Sequence, residues 1–506
     1  MRSFHSLLGA YTLLAQYAHG KPLAERHTSQ SDNLTVKTNL LTVKGTIFPN
    51  ETNVRFFGNI PYAEPPVGNL RFRPPVSAKP RNEIINGTWF GPSCIQYNSG
   101  AKTVYSEYLT GFLLAPGQST SEDCLTLNVW APASSKEGDK LPVMIWVHGG
   151  GFTSGGAASQ YKYGDRIVRD QNVIVVAINY RLNIFGFPKA AALDGHHLNP
   201  GLLDQRKAVE WVYENIHAFG GDAGQMTLFG QSAGSMSVDA YTYAYPFDPL
   251  VRGFIAQSGT VGTSSYTYDP TGSNFTYVAS KLGCDATATK DEIFACVQSK
   301  PATDIINIYN KYNATLNKGQ SLSFGPTADN EVIFSNYTDR QQRGLFAQLP
   351  TIYSSNDAEG SSLLAFTPEG PPGGQAAIDA FTKNFGTCST ANGALVRKNF
   401  DVPVWRVRYF GQWPNLNPFD WLGAYHSADI PMIFGTSDLR GPDTELEKAT
   451  SKYYQDAWVA FAKDPVNGLV KYGWPKYDPD ADTLIKLGNG SAEAIFAKGD
   501  LFDAGC

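Results

Sequence analysis

The sequence predicts an α/β protein with a mostly parallel central sheet and helices on both faces. Two short runs, residues 142–147 and 173–178, are almost entirely apolar, as strands buried on both faces of a parallel sheet are. Residues 201–216 carry apolar side chains at helical spacing. This alternation of strand and helix patterns indicates the α/β class.

The rest of the chain continues the alternation on both sides of an irregular stretch. Residues 253–257, 351–354 and 404–409 have the composition of further short strands. Residues 446–463 place Tyr454, Trp458 and Phe461 on one face, which predicts a late helix that packs on the sheet. We therefore expect a single domain over residues 21–506.

Three other segments have no clear periodicity. From Val54 onward several prolines exclude a helix, so this segment is expected to lie extended over a surface. Residues 260–345 are rich in Tyr, Thr, Ser and Asn, and we interpret them as an insertion that helps to wall a cleft. The loop between Cys94 and Cys124 carries the apolar side chains Tyr105, Tyr108, Leu109, Phe112, Leu113 and Leu114.

The bulk composition is that of a globular protein and does not point to a nucleic acid or a membrane as partner. With 42% hydrophobic and 17% charged residues, the 506-residue chain has an ordinary globular composition. A net charge of −5 gives no reason to expect a nucleic acid partner. No apolar run is long enough to span a bilayer.

The first twenty residues have the pattern of a secretory signal peptide. Arg2 precedes an apolar stretch over residues 7–18, and Ala18 and Gly20 are small residues that suit a cleavage site. Six cysteines also suit an oxidising compartment. We therefore expect an extracellular protein. Seven N-x-S/T sequons are candidate glycosylation sites, at Asn33, Asn50, Asn86, Asn274, Asn313, Asn336 and Asn489.

The strongest chemical signal is a G-x-S-x-G element at residues 230–234. An apolar run, residues 226–229, leads into it, and small, helix-compatible residues lead away. A strand, sharp turn and helix in this order present a serine oxygen at the top of a parallel sheet. Gly230 and Gly234 let strand and helix approach while Ser232 occupies a strained backbone. Ser232 is the predicted nucleophile.

A serine nucleophile needs a base and an acid that orients the base. Of eight histidines, only His426 follows the serine, and the order Ser, acid, His is typical of sites built on such a turn. The acid should lie between them, and both Asp357 and Glu359 follow the predicted strand at residues 351–354. These observations do not decide whether Asp357 or Glu359 is the acid.

A tetrahedral intermediate also needs donors for its oxyanion. The run His148-Gly149-Gly150-Gly151-Phe152 follows a predicted strand, and glycines leave backbone N–H groups accessible to a substrate. His148 precedes the serine in the chain and is interpreted as scaffold.

Together these motifs resemble the type B carboxylesterase/lipase family, the cholinesterase-like α/β-hydrolases, including secreted, fungal-type members. The proline-rich segment from Val54, the run Ser-Glu-Asp-Cys-Leu-Thr-Leu-Asn-Val from Ser121, the serine element and the histidine segment agree with that family in order and spacing. The resemblance implies an α/β-hydrolase fold. It also implies hydrolysis of carboxylic esters through an acyl-enzyme, with no cofactor and no metal.

The resemblance also assigns roles to individual residues. It selects Glu359 over Asp357 as the acid, and Gly150, Gly151 and Ala233 as the oxyanion donors. It places Ser258 and Asp429 in hydrogen bonds around the triad. It implies the bridges Cys94–Cys124 and Cys388–Cys506, while Cys284 and Cys296 are close enough in the chain for a local bridge.

Two features depart from the family pattern. Gln231 precedes the serine where many relatives carry glutamate, so a negative charge near the nucleophile is absent. The loop over residues 94–124 contains no tryptophan, which cholinesterases use there to bind quaternary ammonium. Both departures predict neutral, apolar or aromatic acyl substrates instead of choline esters.

Four readings of the function remain open from the sequence. The leading one is an esterase, and a lipase acting on long-chain acylglycerols or sterol esters is the alternative. For the lipase, the apolar residues 112–114 would form a lid that makes transient contact with a lipid interface. A fixed cleft lining explains the same residues. Acyl transfer to an alcohol and a non-catalytic adhesion or binding protein are the other two readings.

Overall fold

An eleven-stranded sheet forms the centre of the computed structural model, which describes residues 32–263, 271–312, 322–490 and 492–506. The predicted signal segment, residues 1–20, and the sequon at Asn313 lie outside the described residues. The strands are β1 (Thr46–Ile47), β2 (Val54–Pro61), β3 (Thr126–Pro132), β4 (Leu141–Val147), β5 (Ile174–Ile178), β6 (Gly221–Gln231), β7 (Gly253–Gln257), β8 (Thr351–Asn356), β9 (Val404–Tyr409), β10 (Asp482–Leu487) and β11 (Ala494–Lys498).

The sheet is parallel at its centre and antiparallel at its edges. Its strand order is β11-β10-β9-β8-β7-β6-β4-β5-β3-β2-β1. Every pair from β5 across to β10 is parallel, and the outer pairs are antiparallel. The predicted α/β class with a mostly parallel sheet is confirmed.

The register between β4 and β6 brings the two glycine-rich motifs together. Val147, the last residue of β4, pairs with Gly230 near the end of the parallel neighbour β6. Because the carboxyl ends of parallel strands meet at one edge, the chain leaving β4 and the chain leaving β6 emerge side by side. The sheet therefore places residues 148–152 next to Ser232.

The segment from Val54 differs from its predicted surface position. Val54–Pro61 is strand β2 of the central sheet, and Val54, Phe56, Phe57 and Ile60 are buried. The segment is extended, as its prolines require, but its one proline within the strand is the final residue. Proline is tolerated at that position because the missing N–H falls at the end of the ladder.

Helices cover both faces of this sheet. Among the described residues the α-helices are α1 (Val104–Glu107), α2 (Asp165–Gln171), α3 (Asn183–Gly186), α4 (Pro200–Asn215), α5 (Ala233–Ala244), α6 (Ser273–Lys281), α7 (Lys290–Ser299), α8 (Ala302–Asn310), α9 (Tyr337–Gln342), α10 (Glu359–Leu363), α11 (Gly374–Thr382), α12 (Cys388–Asn399), α13 (Ile430–Phe434), α14 (Glu445–Lys463) and α15 (Gly468–Tyr472). A π-helical turn, Lys383–Thr387, connects α11 to α12.

Apolar side chains from alternate positions of the strands fill two cores. Val143 and Ile145 of β4 belong to one core, while Met144 and Trp146 belong to the other. This separation follows from the strand period of two, because neighbouring side chains point to opposite faces. A third cluster, which includes Phe275 and Phe294, packs helices α6, α7 and α8 together. Within the described ranges no helix is both long and apolar enough to cross a membrane.

Three disulfides, one local and two between more distant positions, are present in the described chain. Cys94–Cys124 closes the loop that carries α1, and Cys284–Cys296 ties α7 to the turn before it. Cys388–Cys506 links the start of α12 to a position beyond the edge strand β11. The described residues contain no free cysteine.

A buried ion pair fastens α5 to α12 behind the carboxyl ends of the strands. The Arg397 guanidinium donates to Asp239 Oδ1 at 3.1 Å, and both side chains are almost fully buried. Asp239 also accepts hydrogen bonds from the Tyr353 hydroxyl at 2.6 Å and the Val261 N–H at 2.9 Å. The Asp239 carboxylate is thus held by one charged and two neutral donors.

We expect Arg397→Met to lower the free energy of unfolding by about 3–5 kcal/mol, because the variant leaves the Asp239 carboxylate buried without its cation. Urea denaturation followed by tryptophan fluorescence measures the change. Arg343→Met is the matched control, since Arg343 pairs with Asp339 on the surface and exposed pairs contribute little. A midpoint for Arg397→Met equal to that of the control would contradict the assignment.

Candidate active site

Ser232 lies at a sharp turn between β6 and α5. Its backbone has φ 60° and ψ −125°, a strained conformation for a residue with a side chain. Its N–H donates to the carbonyl oxygen of Gln257 at 2.8 Å, which anchors the turn to β7. A Cβ on Gly234 would lie 2.0 Å from the Val147 carbonyl oxygen, so only glycine lets the helix approach β4.

His426 and Glu359 form a buried pair beside this turn. His426 Nδ1 lies 2.5 Å from Glu359 Oε2, and the two side chains are 4% and 0% exposed. The other oxygen of Glu359 accepts the Asn356 N–H at 2.7 Å. Because the carboxylate can only accept, Nδ1 carries the proton of this hydrogen bond. The second ring nitrogen, Nε2, then carries the lone pair that can accept a proton.

Asp357, the competing acid, faces a different partner. Arg408 Nε donates to Asp357 Oδ1 at 2.9 Å, and the Asp357 side chain is 38% exposed. Glu359, in contrast, is the carboxylate in contact with the imidazole. The geometry therefore favours Glu359 as the acid that orients His426.

Gln231 contacts the reactive nitrogen of the imidazole. Its amide nitrogen lies 3.0 Å from His426 Nε2, and the Gln231 side chain is buried. With Nδ1 protonated, Nε2 accepts this hydrogen bond. Within the described chain the Ser232 hydroxyl makes no hydrogen bond. Contacts between nucleophile and base are often long without substrate and shorten when it binds.

The glycine-rich run after β4 lies against the nucleophile. A Cβ on Gly149 would lie 2.8 Å from Ser232 Cβ, which shows how closely this run approaches the serine. Gly150 and Gly151 have φ angles of 114° and 62°, in the left-handed region that favours glycine. Within the described chain the N–H groups of Gly150, Gly151 and Ala233 donate to no other group. These N–H groups are thus available to an acceptor bound near the serine turn.

His148 has the surroundings of a scaffold residue. Its Nδ1 lies 2.8 Å from the Gly149 carbonyl oxygen, and its ring stacks on Tyr180 with 4.4 Å between ring centroids. Burial lowers the pKa of His148 to about 3, so the ring stays neutral in physiological conditions.

Asp429, which the resemblance places in hydrogen bonds around the triad, lies close to the pair and bonds to two residues at the ends of neighbouring strands. Asp429 accepts from Gln257 Nε2 at 2.8 Å and from Asn356 Nδ2 at 3.3 Å. Burial, together with the nearby Glu359 carboxylate, raises the pKa of Asp429 to about 6. The Ser258 hydroxyl, expected to bond around the triad, is buried and has no partner in the described part of the chain. Gln257 and Asn356 provide the polar contacts to Asp429.

The π-helical turn at Lys383–Thr387 supplies one wall of the site. The Phe385 ring lies 5.4 Å from the His426 ring, centroid to centroid, and nearly perpendicular to it. A Cβ on Gly386 would lie 3.0 Å from Glu359 Cγ, so glycine leaves room for the acid. Single π-helical turns within helices are frequent at functional sites.

Sequence reasoning missed Asn356, Phe385 and Tyr105 at this site. Asn356 had a usable signal, because it is a polar residue at the carboxyl end of a parallel strand. Phe385 and Tyr105 had none, since each reaches His426 from a distant helical segment of the chain. Only the fold brings them to the site.

The arrangement suits acyl transfer. A hydroxyl at a strained turn, an imidazole oriented by a buried carboxylate, and backbone N–H groups without another acceptor are the parts that acyl chemistry requires. No group of three or more His, Cys, Asp or Glu side chains in the described ranges is arranged to hold a metal ion.

Comparison with known proteins gives consistent results. Residues 32–387 match the model of the carboxylesterase family. The chain is 39% identical to a chlorogenic acid esterase of Aspergillus niger, over 92% of each chain. It is 37% identical to secreted lipase 5 of Gibberella zeae, over 90% of each chain. Among solved structures it is similar to a PNB esterase, with a TM-score of 0.76, 26% identity, and 93% and 98% of the two chains covered.

Proposed function

The chain belongs to the carboxylesterase family and is a carboxylic ester hydrolase, and from this premise we propose that Ser232, His426 and Glu359 carry out the reaction. The observation that carries the proposal is the buried His426–Glu359 pair beside the strained serine turn. The α/β-hydrolase fold of the PNB esterase neighbour also supports it.

The first half of the reaction forms an acyl-enzyme. Ser232 Oγ attacks the ester carbonyl carbon, and His426 Nε2 takes the hydroxyl proton. The imidazolium is stabilised by Glu359 at Nδ1. The tetrahedral intermediate collapses, His426 returns the proton to the leaving alcohol, and the acyl group remains on Ser232. In the second half, His426 takes a proton from water, which attacks the acyl-enzyme. The second tetrahedral intermediate collapses, His426 returns the proton to Ser232 Oγ, and the carboxylic acid product is released.

The oxyanion of each tetrahedral intermediate is assigned to three backbone donors. Gly150, Gly151 and Ala233 offer N–H groups without another acceptor in the described chain. Ala233 N–H also lies at the first residue of α5, where the helix dipole favours negative charge. Preorganised donors of this kind contribute about 3–4 kcal/mol each to transition-state stabilisation.

The proposed substrates are neutral esters with apolar or aromatic acyl groups. Gln231 places a neutral amide where a glutamate would attract cations, and Phe385 adds an aromatic surface beside His426. The relative from Aspergillus niger is named for chlorogenic acid, whose acyl group is aromatic, and this supports the aromatic acyl part of the proposal. Choline esters are expected to be poor substrates.

A lipase is the second candidate, supported by the relative named secreted lipase 5. Leu113, in the lid-like part of the 94–124 loop, is 43% exposed, so the loop presents an apolar side chain to solvent. Long-chain esters would be the substrates of such an enzyme, and the loop would contact their interface.

Secretion and glycosylation are part of the proposal. The secreted relative and the three disulfides support an extracellular location. The sequon asparagines Asn50, Asn86 and Asn336 are exposed and therefore accessible to glycosylation.

Hydrolysis of p-nitrophenyl esters from acetyl to palmitoyl tests the substrate class, with chlorogenic acid and a choline ester in parallel. An optimum at short or aromatic acyl groups supports the esterase. An optimum at long chains, with a rise in rate as substrate passes its solubility limit, supports the lipase. A kcat/KM for the choline ester above that of a neutral ester of equal length would refute the proposed preference. Product analysis with added alcohol distinguishes hydrolysis, which releases the free acid, from acyl transfer, which forms a new ester.

We expect Gln231→Glu to move the acid limb of the kcat/KM profile to higher pH by about one unit, because an opposite charge within contact distance stabilises the imidazolium. Catalysis needs the neutral ring, so activity in the variant is lost earlier as the pH falls. Gln231→Met removes the amide without adding charge, and its limb should stay near that of the wild type. Superimposable limbs for Gln231→Glu and wild type would contradict the contact between Gln231 and His426.

A further inference from the structure

We propose that Tyr105, in the disulfide-closed loop, is a positioning residue that holds His426 in its reactive orientation. The inference rests on the proposed function and extends it to a residue outside the triad. The Tyr105 hydroxyl donates to the carbonyl oxygen of His426 at 2.5 Å and lies 2.9 Å from Ser362 Oγ. One hydroxyl group thus connects the loop, the histidine turn and helix α10, which begins at Glu359.

The histidine turn needs such support because its backbone is strained. Ser427 follows His426 with φ 76°, a left-handed conformation that costs a residue with a Cβ on the order of 1–3 kcal/mol. Strained residues persist only where surrounding contacts fix them. Asn356 Nδ2 holds the Tyr425 carbonyl oxygen at 2.7 Å on one side of His426. The Tyr105 hydroxyl holds the next carbonyl, that of His426 itself.

Tyr105 can transmit this restraint because its own helix is fixed. The capping box between Thr103 and Ser106 closes the first turn of α1, and Val104 beside Tyr105 is 1% exposed. The Tyr105 ring packs edge-to-face on Phe112 with 5.6 Å between centroids. The position of the Tyr105 hydroxyl is therefore fixed by the helix and by the packing of its ring.

The far side of the same loop is clamped to the body of the protein. Ser159 Oγ and Lys162 Nζ each donate to the Phe112 carbonyl oxygen at 3.1 Å. The Cys94–Cys124 bridge closes the loop at its ends. These contacts indicate that residues 104–112 are fixed against the protein and support His426. They argue against a lid that opens freely in this part of the loop.

Tyr105→Phe tests the proposal, because it keeps the ring and removes only the hydroxyl. We expect kcat for a p-nitrophenyl ester to fall about 10-fold or more, since small misplacements of catalytic groups have effects of this order. KM should change less than about twofold, because ground-state binding is not altered. The acid limb of kcat/KM should move to lower pH, since a poorly oriented imidazolium gains less from Glu359.

Tyr108→Phe is the matched control, one helical turn further along the loop. Tyr108 is exposed, and its hydroxyl makes no hydrogen bond in the described chain, so its kcat and pH profile should equal those of the wild type. Ser362→Ala approaches the contact from the opposite side. It leaves the bond from Tyr105 to His426 in place, so its loss of kcat should lie between those of the two tyrosine variants.

Thermal unfolding of each variant separates positioning from stability. A normal Tm with reduced kcat and a displaced acid limb supports the proposal. A Tyr105→Phe variant with the kcat and pH profile of Tyr108→Phe overturns it, as does a loss of activity that follows Tm alone. Wild-type protein that hydrolyses no ester would overturn the proposed function and this inference together, whereas an active wild type leaves only the role of Tyr105 in question.

Discussion

Replacing Ser232 with alanine is expected to lower kcat for ester hydrolysis by about 10⁴-fold or more, the range seen when the nucleophile of a serine triad is removed. The variant retains the oxyanion donors and the substrate contacts but cannot form the acyl-enzyme. Initial rates with p-nitrophenyl butyrate measure the loss. Covalent labelling by a fluorophosphonate reports the same loss independently, because only an activated serine reacts.

The fold of this variant should be unchanged. Ser232 is anchored by its backbone N–H, and its hydroxyl makes no hydrogen bond in the described chain, so alanine removes no structural contact. A Tm equal to that of the wild type is the control. The double variant Ser232→Ala/His426→Ala should be no slower than either single variant, since the triad acts as a unit. Residual activity within a few-fold of wild type would exclude Ser232 as the nucleophile.

Glu359→Gln is expected to lower kcat by about 10³–10⁴-fold, because an amide at this position favours the wrong imidazole tautomer and cannot stabilise the imidazolium. KM should change little, since Glu359 is buried beneath the ring and does not reach solvent. Steady-state kinetics at several pH values measures both quantities.

Asp357→Asn is the matched control for this prediction. Asp357 lies two residues earlier, follows the same strand and carries the same charge, but it pairs with Arg408. Its loss should leave kcat within a few-fold of wild type. The reverse result, an active Glu359→Gln and an inactive Asp357→Asn, would assign the acid to Asp357.

The sequence predicts the central part of this molecule because local patterns determine it. The apolar runs give β4 and β5 to within one residue, since strands buried on both faces permit few polar side chains. The glycines around Ser232 point to a tight turn because a Cβ at Gly234 is sterically excluded there. The position of His426 follows from chain order alone.

The sequence could not predict features that depend on contacts between distant segments. The prolines of the segment from Val54 predict an extended chain but not its burial, and the burial of Val54–Pro61 follows from its place in the sheet beside β3. The bonds of Asp429 to Gln257 and Asn356 join residues 172 and 73 positions apart. No pattern along the chain encodes such distances.

The bridge from Cys388 to Cys506 has a consequence for unfolding. It spans 118 residues, a segment that contains His426 and the strands β9, β10 and β11. In the chain-entropy description a closed loop of this size raises the free energy of the unfolded state by about 4–5 kcal/mol. An edge hairpin such as β10–β11 would otherwise be among the first parts to separate, exposing unpaired strand groups. With the bridge intact, the hairpin cannot separate from the sheet while the rest of the fold stays in place. When the bridge is reduced, we expect the first change to be local opening at this edge of the sheet.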